Sequence, residues 1–132
     1  MAGVSAVRYL LANNSTLIAL VPATKIFVGV VPVDTVLPAI AVTQIDGVPH
    51  LTVAMTEGGK IQTDRVQVTV LTKAYQTAIS AAVLAALPNT RGTVNSTKLD
   101  SLLPDGEGPD LFDDAAVIFE RSRDFLVRWH GP

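Results

Sequence analysis

Between Arg65 and Leu87 the hydrophobic period of the sequence changes from two to about 3.6, the pattern of a strand feeding a helix. Val66, Val68 and Val70 alternate with Gln67 and Thr69, which gives one apolar and one polar face. Tyr75, Ile79, Ala82, Val83 and Ala86 then line one side of a helix that Pro88 stops. Its polar stripe is narrow: Lys73, Gln76, Thr77 and Ser80, with Leu84 set among them. A helix that is apolar nearly all round wants cover on more than one side. In a chain of 132 residues the second cover is expected from another subunit.

That length suits one domain, residues 1–132, able to bury about two thirds of its unfolded surface. A hydrophobic content of 48% against 17% charged residues excludes a disordered chain. No apolar run approaches the roughly 20 residues of a membrane span. Arg8 follows a helical pattern rather than preceding an apolar stretch, so no signal peptide is expected. The lack of cysteine removes disulfide frameworks and thiol sites, and fits a reducing compartment.

A net charge of −2 argues against a general nucleic-acid binder. The charge is unevenly spread. Up to Met55 only Arg8, Lys25, Asp34 and Asp46 are charged, whereas Asp100 to Asp114 holds six acids and no base. The first half therefore offers little charge to solvent, as expected of surface buried between subunits.

Along the chain, Val4, Val7, Leu10 and Leu11 predict a helix that stops at Asn13-Asn14. Ser15 is placed to cap a second short helix to Leu20, ended by Val21-Pro22. Lys25 to Val31 reads as a strand closed by Pro32, and Ala39 to Ile45 as a strand opened by Pro38 and closed by an Asp46-Gly47 turn. His50 to Met55 is a further candidate strand before a glycine-bearing tip. Thr93 to Leu103 is extended, Pro104 to Pro109 reads as a loop, and Ala115 to His130 closes the chain as a strand in which Phe125, Val127 and Trp129 alternate with polar residues. The expected fold is α+β, a single mixed, mostly antiparallel sheet with two main helices packed on one face.

Catalytic chemistry has little to work with. His50 and His130 are the two histidines, and no nucleophile-elbow or His-Glu-x-x-His pattern occurs. Asp105, Glu107 and Asp110 lack the spacing and the closing glutamate of a calcium loop, and read as a solvated acidic loop. Glu57-Gly58-Gly59-Lys60 lacks phosphate-loop spacing. No enzyme activity, cofactor or metal is expected. Arg121 and Arg123 are two apart on the last strand and face one way, toward phosphates, a neighbour's acids or cross-strand partners.

Lys25-Ile26-Phe27-Val28-Gly29, then Leu37-Pro38 leading into Ala39 to Gln44, resembles the glycine-bearing strand and the Leu-Pro-initiated strand of the small tail terminator (tail completion) proteins of long-tailed bacteriophages. Arg65 to Val70 with the Ala-rich helix to Leu87 is similar to that family's central strand and helix, and Glu120 to Trp129 to its arginine-bearing final strand. The Pro104 to Asp114 segment is longer and more acidic than the family pattern. The resemblance implies an α+β subunit of a hexameric ring at the head-proximal end of the tail tube. There it stops tube growth and joins the head's neck proteins, and DNA passes through without specific binding. It further implies a place in the virion tail, with assembly in the host cytoplasm, no membrane, and no catalytic residues. The alternatives are a head-completion (neck connector) protein of the same virion and a small monomeric ligand-binding domain.

The residues expected to carry assembly are Leu84, the tip Thr56, Glu57, Gly58, Gly59 and Lys60, the acids Asp105, Glu107, Asp110, Asp113 and Asp114, and the arginines Arg121 and Arg123.

Overall fold

A computed structural model describes residues 2–32, 34–50, 61–74, 77–115 and 117–130. Helix α1 (Ala2–Ala12) buries Val4, Val7 and Leu11 at helical spacing, as their pattern predicts. Helix α2 (Ser15–Leu20) follows at once, capped by Asn14 rather than by Ser15. The Asn14 backbone is extended, as a cap requires, and its Oδ1 accepts the Leu17 N–H at 2.9 Å.

Strand β1 is shorter than its β-branched sequence suggests, spanning only Ile26–Val28. Lys25 belongs to a single 3-10 turn, and Gly29, with φ +91°, swings the chain away before Val30 and Val31 can pair. Strands β2 (Ala39–His50) and β3 (Ile61–Thr72) run antiparallel along their whole lengths. Asp46-Gly47 is therefore not a turn. Register slips by one residue between Gln44 and Asp46, leaving Ile45 as the extra residue of a bulge. Of the expected His50 to Met55 strand, His50 ends β2, and residues 51–60 lie outside the described ones.

Helix α3 (Ala78–Ala86) buries Ile79, Val83 and Ala86, while Tyr75 lies outside the described residues. Ser80, expected on the polar stripe, is buried at the sheet instead. Thr93 to Leu103 is a hairpin of β4 (Gly92–Val94) and β5 (Thr97–Glu107) around Asn95-Ser96. Both turn residues have positive φ, 46° and 67°, as a two-residue type I′ hairpin requires. The predicted Pro104 to Pro109 loop is mostly strand, because β5 continues to Glu107 through a register shift. Short β6 (Leu111–Asp113) and long β7 (Ile118–His130) complete the sheet.

The sheet order is β1-β2-β3-β7-β5-β4, with β6 on the edge of β7 that β5 leaves open. Among the described residues only the β1–β2 pair is parallel, so the sheet is mixed and mostly antiparallel as expected. β7 comes last in sequence but sits between β3 and β5. One face carries the core: Ile40 and Val42, Val66, Val68 and Val70, Phe125 and Val127, and Leu99 and Leu102 pack beneath α1 and α3. Burying Phe125 alone contributes about 1.5–3 kcal/mol.

Among the described residues, one buried carboxylate lies in that core. Asp64 is fully buried on β3, in phase with the valines. Its carboxyl accepts Trp129 Nε1–H at 2.8 Å from β7, Gln62 Nε2–H at 2.8 Å, and the Gly3 N–H at 3.3 Å from the first turn of α1. α1 has no acid in its own first turn, so Asp64 supplies one from the sheet. Two glycines make room for it. A Cβ on Gly3 would lie 2.7 Å from Asp64 Oδ2, and one on Gly47 would lie 2.8 Å from Oδ1. Gly47 thus serves close approach, not a turn.

Replacing Asp64 with Ala strands the Trp129 and Gly3 donors, and each buried orphan costs about 1–3 kcal/mol. Urea unfolding of Asp64→Ala is expected to show a loss of about 3 kcal/mol; a change within error would mean that Asp64 holds nothing together.

Candidate assembly interface

Strand β7 gathers most of the charged residues singled out above. Arg121 and Arg123 do face one way, on the side of β7 that carries Phe125 and Val127. Arg121 grips Asp110 in a two-point contact, Nε to Oδ1 and Nη2 to Oδ2, each 2.8 Å. Arg123 Nη2 lies 2.6 Å from Glu107 Oε1, and its Nε donates to Ser80 Oγ at 2.9 Å. This explains why Ser80 is buried: its hydroxyl ties α3 to β7. On the opposite face, Arg65 pairs with Asp105 and lies 3.6 Å from Asp124, which also accepts Gln67 Nε2–H at 3.2 Å.

Three acids of the segment expected to be a solvated loop are therefore bound to arginines of the same chain. The pairs explain the extra strand length, because they hold residues 105–110 along the edge of β7 where backbone pairing is interrupted. Arg–carboxylate forks of this kind combine charge with planar geometry. Asp113 Oδ1 accepts the Ala115 N–H at 3.0 Å at the end of β6, and Asp114 is exposed in the turn that follows. Leu84 stands apart on α3, 38% exposed. Thr56 to Lys60 lie outside the described residues.

Two features escaped the sequence reading. Phe112 of β6 stacks on Phe119 across the strand pair, ring centroids 4.4 Å apart, yet stays half exposed beside Leu111 and Val117. An apolar strap thus runs along this edge, hidden in the sequence by the acids around it. The helical layer, by contrast, carries almost no charge: α2 and α3 have none, and Arg8 of α1 turns inward to the backbone carbonyls of Ile26 and Ala23. Ile18 and Leu20 of α2 and Leu84 of α3 are exposed on it.

The model of the family described as tail completion protein gp17 matches residues 5–108, which run from α1 through the whole of β5. The chain belongs to the tail completion protein gp17 family. It is thus a structural protein of the phage tail. A search of curated proteins returned no match. Among solved structures, the fold is similar to a chain from the virion of a native gene transfer agent (GTA) particle. That likeness has a TM-score of 0.76 at 21% identity, over 97% of this chain and 94% of the other. The α+β fold expected from the sequence is thus found, and so is the family.

Arg123 bridges the edge segment and the helical layer, so its truncation should loosen both. Arg123→Ala is expected to cost about 1–2 kcal/mol at low salt and less at high salt, since Glu107 is half exposed. Glu107→Gln should cost less, because it leaves the Ser80 bond intact. Equal losses in the two variants, by urea unfolding at two ionic strengths, would assign no role to the bond with α3.

Proposed function

We propose that the protein forms a ring, most simply a hexamer, on the head-proximal end of the tail tube, where it ends tube growth and presents the surface that joins the neck. The observation that carries this reading is the uncharged, partly exposed outer face of α2 and α3 in a tail completion protein. Exposed apolar side chains gathered on one side of a small subunit mark a surface meant for burial. A ring follows when such a contact is repeated around a closed symmetry axis.

A growing tube stops when its last ring is covered by a surface that binds it on one side and offers no copy of the growth face on the other. Segments carried on a rigid sheet suit that contact. The candidates are Thr56 to Lys60 between β2 and β3, and the Asp113-Asp114 end of the acidic segment. Ordering a docking segment costs about 1–2 kcal/mol per residue fixed. Copies bound together offset that cost through avidity. The partners in this reading are the chain itself, the major tail tube protein and a head-completion (neck) protein.

The reading has two direct checks. Particles assembled without this protein should carry tails of irregular, excess length that fail to join heads, and Leu84→Asp should weaken self-assembly while leaving the melting temperature of the subunit little changed. Normal tail lengths by electron microscopy in its absence would end the proposal.

The ring is also expected not to grip the DNA it surrounds. Arg65, Arg121 and Arg123 are each matched by a carboxylate, and the net charge is −2. Duplex DNA in a gel-shift titration should show no salt-sensitive complex at micromolar protein; a tight one would contradict this.

A further inference from the structure

The segment between β1 and β2 borders the face of the sheet turned away from the helices. Gly29 swings the chain off β1, and the turn that follows is pinned at Thr35. Its N–H donates to the Pro32 carbonyl at 3.2 Å and its hydroxyl to the same oxygen at 2.6 Å. Asp34 takes the positive φ, +70°, that such a turn needs at its third position. The chain then returns to begin β2 at Ala39. Between this arch and the sheet lie two adjacent cavities of about 410 and 360 Å³, which share Val31 and Leu71 in their walls.

The two cavities differ in chemistry. The first is walled mainly by apolar side chains, Val31, Pro32, Leu37, Leu71 and Ile118. The second has Thr43, Gln67 and Thr69 in its lining, with Glu120 beside them. Glu120 is partly buried and, among the described residues, its carboxylate has no hydrogen-bond or ion-pair partner. It stands out for that reason, since the acids Asp105, Glu107, Asp110 and Asp124 are all matched. Partly burying a carboxylate without a partner has a cost that a cation would offset. The arch also carries Val30, 82% exposed, and Val36, 72% exposed, more than any other large apolar side chain among the described residues.

We propose that this groove receives an extended segment of another protein, with an aliphatic side chain in the first cavity and a lysine or arginine two residues away paired with Glu120 in the second. Alternate side chains of an extended chain point the same way, so two adjacent cavities suit residues i and i+2. Extended segments are commonly recognised through pockets for alternate side chains. Charge decides the occupant, and it favours a different protein over a second copy. Arg8, Arg65, Arg121, Arg123 and Arg128 are already engaged within their own subunit. The pinned turn and the sheet fix both walls of the groove in advance, which leaves only the incoming segment to be ordered. The inference goes beyond the ring reading and does not depend on it.

The probe is the end-blocked peptide Thr-Leu-Thr-Arg-Thr, titrated into the isotopically labelled full chain and followed by NMR. Saturable shifts are expected at Val31, Leu37, Leu71 and Thr69. Glu120→Gln should weaken binding about fivefold, as loss of one partly exposed charge pair does. Thermal melting checks that this variant is folded. Exchanging the peptide's leucine for serine, or its arginine for glutamate, should weaken binding as much with the protein left unaltered. No saturable shift at about 10 mM peptide overturns the proposal. Binding that is unchanged in Glu120→Gln, or that the glutamate peptide reproduces, overturns it too. Shifts of the same residues on concentrating the protein alone would seat a second copy in the groove and overturn the assignment to another protein. Sedimentation velocity on the same samples reads self-association separately. A chain that binds the peptide but stays monomeric refutes the ring and spares this inference; a ring that ignores the peptide does the reverse.

Discussion

A single buried carboxyl holds the layers of this protein in register. Asp64 takes hydrogen bonds from the first turn of α1, from Trp129 of β7 and from its neighbour Gln62, while Gly47 of β2 passes close enough to exclude any side chain. Burying a carboxyl without partners is costly, so its donors are obligatory rather than decorative. The four elements that meet there are fixed by direction as well as by contact. Apolar packing alone tolerates sliding between a helix and a sheet; a hydrogen-bonded carboxyl does not. The alternating valines of β3 and the helical stripe of α1 are stacked in one particular way because Asp64 interrupts the alternation at one place.

Charge is partitioned on the same principle of local satisfaction. Arg121 and Arg123 of β7 are met by Asp110 and Glu107 along the strand edge, and Arg65 by Asp105 on the other face. These pairs are partly exposed and each contributes modestly. Their larger effect is on shape. They turn what would be a loop into an extended edge strap and bring its apolar residues, Leu111 and Phe112, into a defined position. The helical layer takes the opposite course and dispenses with charge. A subunit so divided has one side rich in paired charge and another almost without charge.

Much of this was legible in the sequence, for reasons that are physical. The valine alternation of β3, the stripes of α1 and α3, and the closing β7 are long, strongly periodic segments in which local and tertiary preferences agree. The errors fell where a residue's usual meaning was overruled by something distant. Asp46-Gly47 has turn chemistry, but Gly47 is there to clear Asp64 from another strand. Pro104 to Pro109 has loop composition, but three arginines far along the chain straighten it. Ser80 looked like a solvent residue until Arg123 reached it. Of the residues expected to carry assembly, pattern alone pointed to Leu84 and to Arg121 and Arg123. The strap was missed because Leu111 and Phe112 are too few to make a period and sit among acids.

The position of β7 has a consequence for how the subunit is made. It lies in the middle of the sheet, yet it follows all the other described strands in the chain. Until residue 130 has cleared the ribosome, β3 and β5 lack their common partner, Asp64 lacks the Trp129 donor, and the acids of the edge lack Arg121 and Arg123. Domains generally fold as units once their chain is available. Here that availability comes late, so an interrupted translation product has neither a closed sheet nor a formed strap.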